Sequence, residues 1–429
     1  MSRPERTPER ARRLPVGRPG GGRGYHHHTL SSSSLPDICV VGGAGHVGAP
    51  LAAVLTSRGH RTLIYDKNRA ALQSLRGGSM PFLEEGGDEL LREVLPTGRL
   101  TFTDDPAGVS GVPIIVITIG TPIDEFHNPM VRVVTGCVDE LLPFLADGQT
   151  IILRSTVFPG VTELVDGYLR KSGKRIGVAF CPERVVQGHA VRELQTLPQI
   201  VSGMTPEAEE TAVRLFSTVA SKVVRMPPKE AEFAKLISNA YRYIQFAAAN
   251  QFYMLAEAAG LDYARLLRGL KEDYPRVHSL AGPGFAAGPC LMKDTMQLVA
   301  FDHQRFSLGS AAMMVNEGLP SFIVERIRQR RDLSTTTVGI LGMAFKGDID
   351  DIRESLSYKL GKILRFHGAT VLYSDEFARD PTFISKERLV AGSDVVIVGA
   401  PHSAYRSLEV PARVEVVDLW GVLTGERRP

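Results

Sequence analysis

Cys290 lies in the run Gly284-Phe285-Ala286-Ala287-Gly288-Pro289-Cys290-Leu291-Met292-Lys293-Asp294. A thiol behind a glycine-rich turn is placed to attack an electrophile rather than to fill a core. Lys293 is a nearby cation that would favour the thiolate, the nucleophilic form. Asp294 could act as a base through a water. The other cysteines, Cys39, Cys137 and Cys181, lie in or at the end of apolar elements. They fit the commoner use of cysteine as a small buried hydrophobe. Lys235 and Asn239 are four apart among Phe233, Leu236 and Ile237, so on a helix both face one side. An ammonium beside an amide can polarise a hydroxyl or hold a water. A lysine at this spacing can equally belong to a solvated face, and spacing alone leaves both readings open.

A second chemical feature opens the chain. Residues 38–41 (Ile-Cys-Val-Val) predict a short buried strand, followed at once by Gly43-Ala44-Gly45-His46-Val47-Gly48 and a helix reaching Arg58. Residues 61–65 predict the next strand, which ends on Asp66. Strand, glycine turn, helix, strand and acid is the order a dinucleotide fingerprint requires. The first glycine makes the tight turn, the second lets backbone approach a pyrophosphate, and the third lets helix and strand pack closely. Asp66 would accept from ribose hydroxyls and repel a 2′-phosphate, so NAD is expected rather than NADP. The competing reading is a tight βα turn with no ligand. A nicotinamide site and a nucleophilic thiol in one chain could carry an alcohol past the aldehyde to the acid, because the thiol gives the second oxidation a covalent substrate.

These residues need elements to position them. Strands are predicted at 113–119, 150–153 and 177–181, each ending in small or polar residues: Gly120-Thr121-Pro122, Ser155-Thr156 and Pro182-Glu183. Ligands bind at the carboxyl ends of strands in open α/β sheets. Pro227-Pro228 opens an alanine- and aromatic-rich stretch that runs to Ala259, with Gly260 as its stop. A helix of roughly 32 residues would be near 48 Å long. It is apolar almost all round and is expected to be buried on several sides, as the spine of a domain or a dimer interface. Strands return at 337–341, 370–373, 394–398 and 415–417, with a helix at 355–366. The expected fold class is α/β: two Rossmann-like parallel-sheet domains joined by a helical domain with one long central helix. The expected boundaries are 1–36 for a disordered leader, 37–206, 207–332 and 333–429.

Bulk properties exclude several classes. A chain of 429 residues exceeds one ordinary core. A net charge of +3 gives no argument for nucleic acid. No apolar run approaches the roughly 20 residues of a membrane helix. Four cysteines without metal-ligand spacing, too few for a disulfide framework, fit a reducing cytoplasm. The leader is rich in Arg, Pro, Gly and Ser and lacks the apolar centre of a secretory signal. Its His26-His27-His28 tract reads as leader, and no metal is expected.

In this order, the motifs resemble the nucleotide-sugar 6-dehydrogenases, which include UDP-glucose, UDP-N-acetylmannosamine and GDP-mannose dehydrogenases. The resemblance spans residues 37–423. It rests on the glycine fingerprint, Gly120-Thr121-Pro122, Ser155-Thr156-Val157, Cys181-Pro182-Glu183-Arg184, Lys235-Leu236-Ile237-Ser238-Asn239 and the Cys290 loop. Gly342-Met343-Ala344-Phe345-Lys346 and Asp350-Asp351-Ile352-Arg353-Glu354-Ser355 complete it. The resemblance implies that Cys290 is the nucleophile and that Lys235 and Asn239 stabilise an oxyanion. It implies that Asp294 works with a water, and that Glu183 and Thr156 position the hydrolytic water. Gly43, Gly45, His46, Val47, Gly48, Asp66, Thr121, Thr156 and Lys293 would meet NAD. Glu183, Arg184, Lys235, Gly284, Phe285 and Lys346 would meet the sugar nucleotide, joined by Arg276 across a subunit boundary.

The implied reaction is a four-electron oxidation of the C6 hydroxyl of a UDP-hexose, in a homodimer or larger homo-oligomer. A UDP-N-acetylhexosamine is favoured by Cys181-Pro182-Glu183-Arg184 and Gly203-Met204-Thr205-Pro206, and UDP-glucose by Cys290-Leu291-Met292-Lys293-Asp294. The alternatives are a two-electron hydroxyacid dehydrogenase and a non-catalytic binding paralogue. Two departures stand out. The turn before Cys290 carries one extra residue and a proline, and Trp420 stands where the family often has a basic residue after the last strand's aspartate, here Asp418.

Overall fold

The structure, a computed structural model, describes residues 35–423; the leader reading falls on residues outside this range, apart from its last two positions. Eight short strands form the first sheet. They are β1 (Ile38–Val41), β2 (Thr62–Tyr65), β3 (Leu100–Thr103), β4 (Ile114–Ile117), β5 (Thr150–Leu153), β6 (Gly177–Phe180), β7 (Gln199–Gly203) and β8 (Val223–Arg225). Their order is β3-β2-β1-β4-β5-β6-β7-β8, parallel throughout except where β7 turns antiparallel to β6. Ile38 of β1 registers with Thr62 on one side and Ile114 on the other. The winding therefore reverses beside β1, which makes its carboxyl end a switch-point crevice.

β1, β2 and β5 are buried along their whole length, as β-branched and leucine runs covered on both faces must be. One core packs Leu51, Leu55 and Phe216 against one face of the sheet, and a second packs Val138, Val165 and Leu169 against the other. The sequence reading missed β3, β7 and β8. β3 (Leu-Thr-Phe-Thr) buries only its first residue fully, and β8 spans three residues, none of them buried, so neither carries a strong apolar run.

Six helices bear on the site: α1 (Gly48–Ser57), α2 (Val161–Lys171), α3 (Pro228–Ala258), α4 (Leu291–Phe301), α5 (Ser307–Arg328) and α6 (Leu356–Phe366). α3 is the predicted long helix. Pro228 sits at its first turn, where a missing N–H costs nothing. Gly260, at φ +71°, ends it, with Leu261 N–H donating back to the Ala256 carbonyl.

Within one chain its burial is partial. Ala231, Leu236, Ala240, Tyr243 and Ala247 are buried, but Ile237, Tyr241, Phe252 and Leu255 are exposed. α4 and α5 pack on α3, and among the described residues this exposed stripe on its opposite face has no cover. Glu232 ties the start of α3 to the first sheet. Its carboxylate accepts from Gly160 N (2.6 Å), Thr162 N (2.9 Å) and Thr162 Oγ1 (2.6 Å), capping α2 from another helix.

A second sheet follows, of β9 (Thr337–Leu341), β10 (Thr370–Ser374), β11 (Val395–Val398) and β12 (Glu415–Val417), all parallel in the order β10-β9-β11-β12. It repeats the switch of the first sheet, between β9 and β11. Among the described residues, no helix is long and apolar enough to cross a membrane.

Candidate active site

Gly43 and Gly48 of the first turn each have a steric reason. A Cβ on Gly43 would lie 2.6 Å from the Val40 carbonyl, and one on Gly48 would lie 2.5 Å from Gly43 Cα and 2.8 Å from Thr118 Oγ1. A Cβ on Gly45 would meet only the Gly42 carbonyl, at 3.5 Å. The middle glycine therefore keeps an open cradle over the amino end of α1, where backbone N–H groups suit a pyrophosphate. Asp66 Oδ2 accepts from Ala44 N (2.9 Å) and Oδ1 from Asn68 N (2.8 Å), which fixes the acid at the rim of the turn. This geometry fits NAD.

His46 and Val47 lie in the same turn. The His46 ring stacks on Phe82 with centroids 3.9 Å apart and lies 3.1 Å from Gln187 Nε2. Burial, then the nearby Arg353 cation, push its pKa down to about 4, so it is neutral near pH 7.

Cys290 caps α4 at its amino end, and its carbonyl accepts from Asp294 N at 2.9 Å. The residue is exposed, yet protein surrounds it on the other sides of the cleft. Burial and the Asp294 carboxylate push its thiol above the ordinary value, against the opposing pull of Lys293, Lys235 and Arg353. The sequence reading expected the cation to win. In the free protein it does not, because burial, joined by an acid one helical turn away, outweighs it. Cys39 and Cys181 are fully buried, and burial pushes each up to about 12; Cys137, half-buried, follows for the same reason.

Asp294 is fully buried and joins two helices. Asn239 Nδ2 donates to its Oδ2 at 2.6 Å, and Lys293 Nζ lies 2.7 Å from its Oδ1. That second contact is an ion pair without hydrogen-bond alignment, so Oδ1 keeps an open acceptor. Lys293 Nζ also donates to Thr121 Oγ1 (3.4 Å), which donates to the Thr156 carbonyl (2.5 Å). A chain of contacts thus runs from α4 to the carboxyl ends of β4 and β5. Lys235 is 9% exposed on the same face of α3 as Asn239 and lies within electrostatic reach of Cys290.

Glu183 is buried against Arg154. Its Oε2 accepts from Arg154 Nε (3.0 Å) and Nη2 (2.5 Å), and its Oε1 from Arg184 N (2.7 Å) and Val185 N (3.0 Å). Four donors occupy its lone pairs, so it orders the 182–185 loop. The Arg184 side chain donates to the Pro198 carbonyl. Gly284 N and O both bond Asn250, which also bonds Asn316; these two asparagines are fully buried. Phe285 is buried beside them. Gly288 in this turn has φ +97°, and a Cβ there would strike the Phe345 ring at 2.5 Å. Lys346 Nζ donates to the Gln187 carbonyl at 3.1 Å, and burial lowers its pKa. Arg276 is exposed and pairs with no described residue of its own chain.

Sequence reasoning missed Arg154, Asn250, Asn316, Gln187 and Arg242. Arg242 could have been found: it follows Lys235 by seven residues and Asn239 by three, on the same helical face. It lies within electrostatic reach of Lys346.

A switch-point crevice with an NAD cradle, joined to a buried Asn–Asp unit and an exposed thiol, defines an NAD-dependent oxidoreductase. The profiles of the UDP-glucose/GDP-mannose dehydrogenase family match in all three parts: the NAD binding domain over residues 36–220, the central domain over 229–318 and the UDP binding domain over 339–424. The chain belongs to that family. It is 30% identical to the UDP-N-acetyl-D-mannosamine dehydrogenase of Methanocaldococcus jannaschii, over 87% of each chain. It is 28% identical to the NDP-N-acetyl-D-galactosaminuronic acid dehydrogenase of Ralstonia nicotianae, over 91% of this chain and 97% of that one. The solved UDP-D-ManNAc dehydrogenase of Pyrococcus horikoshii superposes with a TM-score of 0.82 at 27% identity, covering 89% of this chain and 98% of that one.

Proposed function

We propose that the chain oxidises the C6 hydroxyl of a UDP-N-acetylhexosamine, such as UDP-N-acetylmannosamine or UDP-N-acetylglucosamine, to the uronic acid in two successive two-electron steps. The setting of Cys290 carries the reading: an exposed thiol beside Lys235, Lys293, Arg353 and Asp294. The names of the relatives support the N-acetylated sugar. The proposed division of labour is NAD binding by residues 37–206, a catalytic and dimerisation unit at 207–332, and sugar-nucleotide binding by 333–429.

Two NAD molecules, bound in turn at this one site, would supply the hydride acceptor, one for each oxidation. Gly43, Gly45, His46, Val47 and Gly48 would hold it at the turn, with Asp66, Thr121, Thr156 and Lys293 completing its site. Lys235 and Asn239 would stabilise the alkoxide formed as the hydroxyl loses its proton, a contribution of roughly 3–4 kcal/mol per donor. The Cys290 sulfur attacks the aldehyde carbon. A C–S bond forms, the carbonyl pair moves to oxygen, and that oxygen takes a proton to give a thiohemiacetal. Oxidation of this adduct gives a thioester. A water held at Asp294 then adds, the C–S bond breaks and the thiolate leaves. Thr156 and the loop ordered by Glu183 shape the position of that water. Arg184, Gly284, Phe285 and Lys346 would hold the sugar nucleotide.

The assembly we propose is a homodimer or a multiple of one, built on the exposed stripe of α3, with Arg276 reaching the neighbouring subunit's substrate. The four free cysteines suit a reducing cytoplasm.

Counting NADH across a panel of UDP-hexoses tests the reaction. The expected yield is two per sugar with acid as product, fastest for an N-acetylated sugar, and Cys290→Ala should make no acid while still binding NAD. One NADH per substrate overturns the scheme, and faster turnover of UDP-glucose replaces the sugar assignment.

A further inference from the structure

The Lys346 loop is stapled to a buried histidine–aspartate pair that the reaction scheme does not use. His402 and the Asp375 side chain are both fully buried. Asp348 N donates to His402 Nδ1 at 2.9 Å, and His402 Nε2 lies 3.0 Å from Asp375 Oδ2. A backbone N–H can only donate, so Nδ1 must present its lone pair. The ring hydrogen is then on Nε2, aimed at the carboxylate.

Asp375 closes β10 just as Asp66 closes β2, and it too accepts from the turn after its unit's first strand, at Met343 N (2.6 Å) and Ala344 N (2.9 Å). Asp66 keeps access to solvent, whereas Asp375 is sealed. In the second unit the acid orients an imidazole. Burial alone would raise the Asp375 carboxyl, but the hydrogen bond from His402 and the backbone donors outweigh it and hold it at about 2.

The imidazole acts on the two residues after Lys346. A Cβ on Gly347 would lie 2.4 Å from the Pro401 carbonyl, so only glycine permits the approach. Asp348 has φ +58°, a left-handed conformation that needs outside support in a non-glycine residue. That support comes from His402 Nδ1 on its N–H and from Ser403 N (2.7 Å) and Oγ (3.0 Å) on its Oδ1. Lys346 leaves this fixed turn to reach the Gln187 carbonyl.

We infer that His402 is a positioning residue: its Nδ1 lone pair, oriented by Asp375, holds the 347–348 turn that delivers Lys346 to the sugar nucleotide. This rests on the reading that Lys346 meets the substrate.

The test is a double-mutant cycle on the full chain. His402→Gln keeps an amide near Nε2 but has no acceptor at Nδ1, whereas His402→Asn places an acceptor there. Loss of one positioning hydrogen bond should raise the KM for the sugar nucleotide about tenfold in His402→Gln. Its kcat and KM for NAD should stay within about twofold, and His402→Asn should recover most of the loss. Lys346→Ala should raise the same KM, and adding His402→Gln to it should cost nothing more, because the histidine acts through the lysine. Multiplying penalties, equal effects on both substrates' KM, or no rescue by Asn would overturn the inference. An unchanged sugar-nucleotide KM in Lys346→Ala would instead overturn the placement of Lys346 on which it rests.

Discussion

Asn239 on α3 donates to Asp294 on α4 across 2.6 Å, joining residues 55 apart in sequence into one buried unit. The amide is therefore oriented: Nδ2 faces the acid, and Oδ1 faces away from it. Asp294 lowers the fraction of thiolate at Cys290, whereas the proposed reaction uses it as a base for water, so the two effects would oppose each other. Asp294→Asn separates them. Turnover should fall by about 10²–10⁴, the usual worth of a general base. Alkylation of Cys290 by iodoacetamide near pH 8 should become faster, because one cause of the raised pKa is gone. Slower alkylation in this variant would show that Asp294 does not act on the sulfur.

The free enzyme should also show a distinctive pH profile. The thiol is raised above its ordinary 9.0, so the thiolate is scarce at neutral pH and grows as pH rises through that range. The alkylation rate of wild type should climb toward alkaline pH with a midpoint above 9.0. Lys235 pulls the other way, so Lys235→Met should move the midpoint higher still, opposite in sign to Asp294→Asn. Cys39 and Cys181, buried and pushed up to about 12, should stay unlabelled while the protein is folded. A wild-type midpoint below the ordinary thiol value would mean that the cations outweigh burial and Asp294.

Local chemistry was legible in the sequence wherever one segment carried it. The glycine turn with Asp66 closing the next strand, the long helix, and the shared helical face of Lys235 and Asn239 could be read from local spacing, though spacing left the role of Lys235 open. Features made by two distant segments were not legible. Arg154 follows an apolar strand like many surface arginines, and only the fold shows it fully buried on Glu183. Asn250 and Asn316 are ordinary helix residues until packing joins them to each other and Asn250 to Gly284. The sign of the Cys290 shift was missed for a related reason. Residues 293 and 294 supply opposite charges, and their order in sequence says nothing about how far burial tips the balance. The α3 stripe was legible only in part: an all-round apolar pattern reads as burial, and the sequence left open whether a domain or a dimer interface provides it.

The position of Trp420 explains why Gly284 must be glycine. A Cβ at Gly284 would lie 2.3–2.6 Å from Cη2, Cζ3 and Cζ2 of the indole, all in its outer ring. Asp418 holds the tryptophan loop by accepting from Trp420 N (3.0 Å), Gly421 N (2.9 Å) and Leu423 N (3.0 Å), so the ring cannot easily retreat. Gly284→Ala should therefore cost about 1–3 kcal/mol, the usual penalty for overpacking, and raise the KM for the sugar nucleotide by displacing the loop that carries Cys290. Trp420→Phe removes much of the offending ring together with a buried Nε1 that has no partner, so the loss of packing is partly offset. The combination Gly284→Ala with Trp420→Phe should be more stable than Gly284→Ala alone and should regain part of the lost KM. Thermal midpoints and KM values for the four proteins check this. If the two changes are simply additive, the contact between Trp420 and Gly284 does not set the position of the loop.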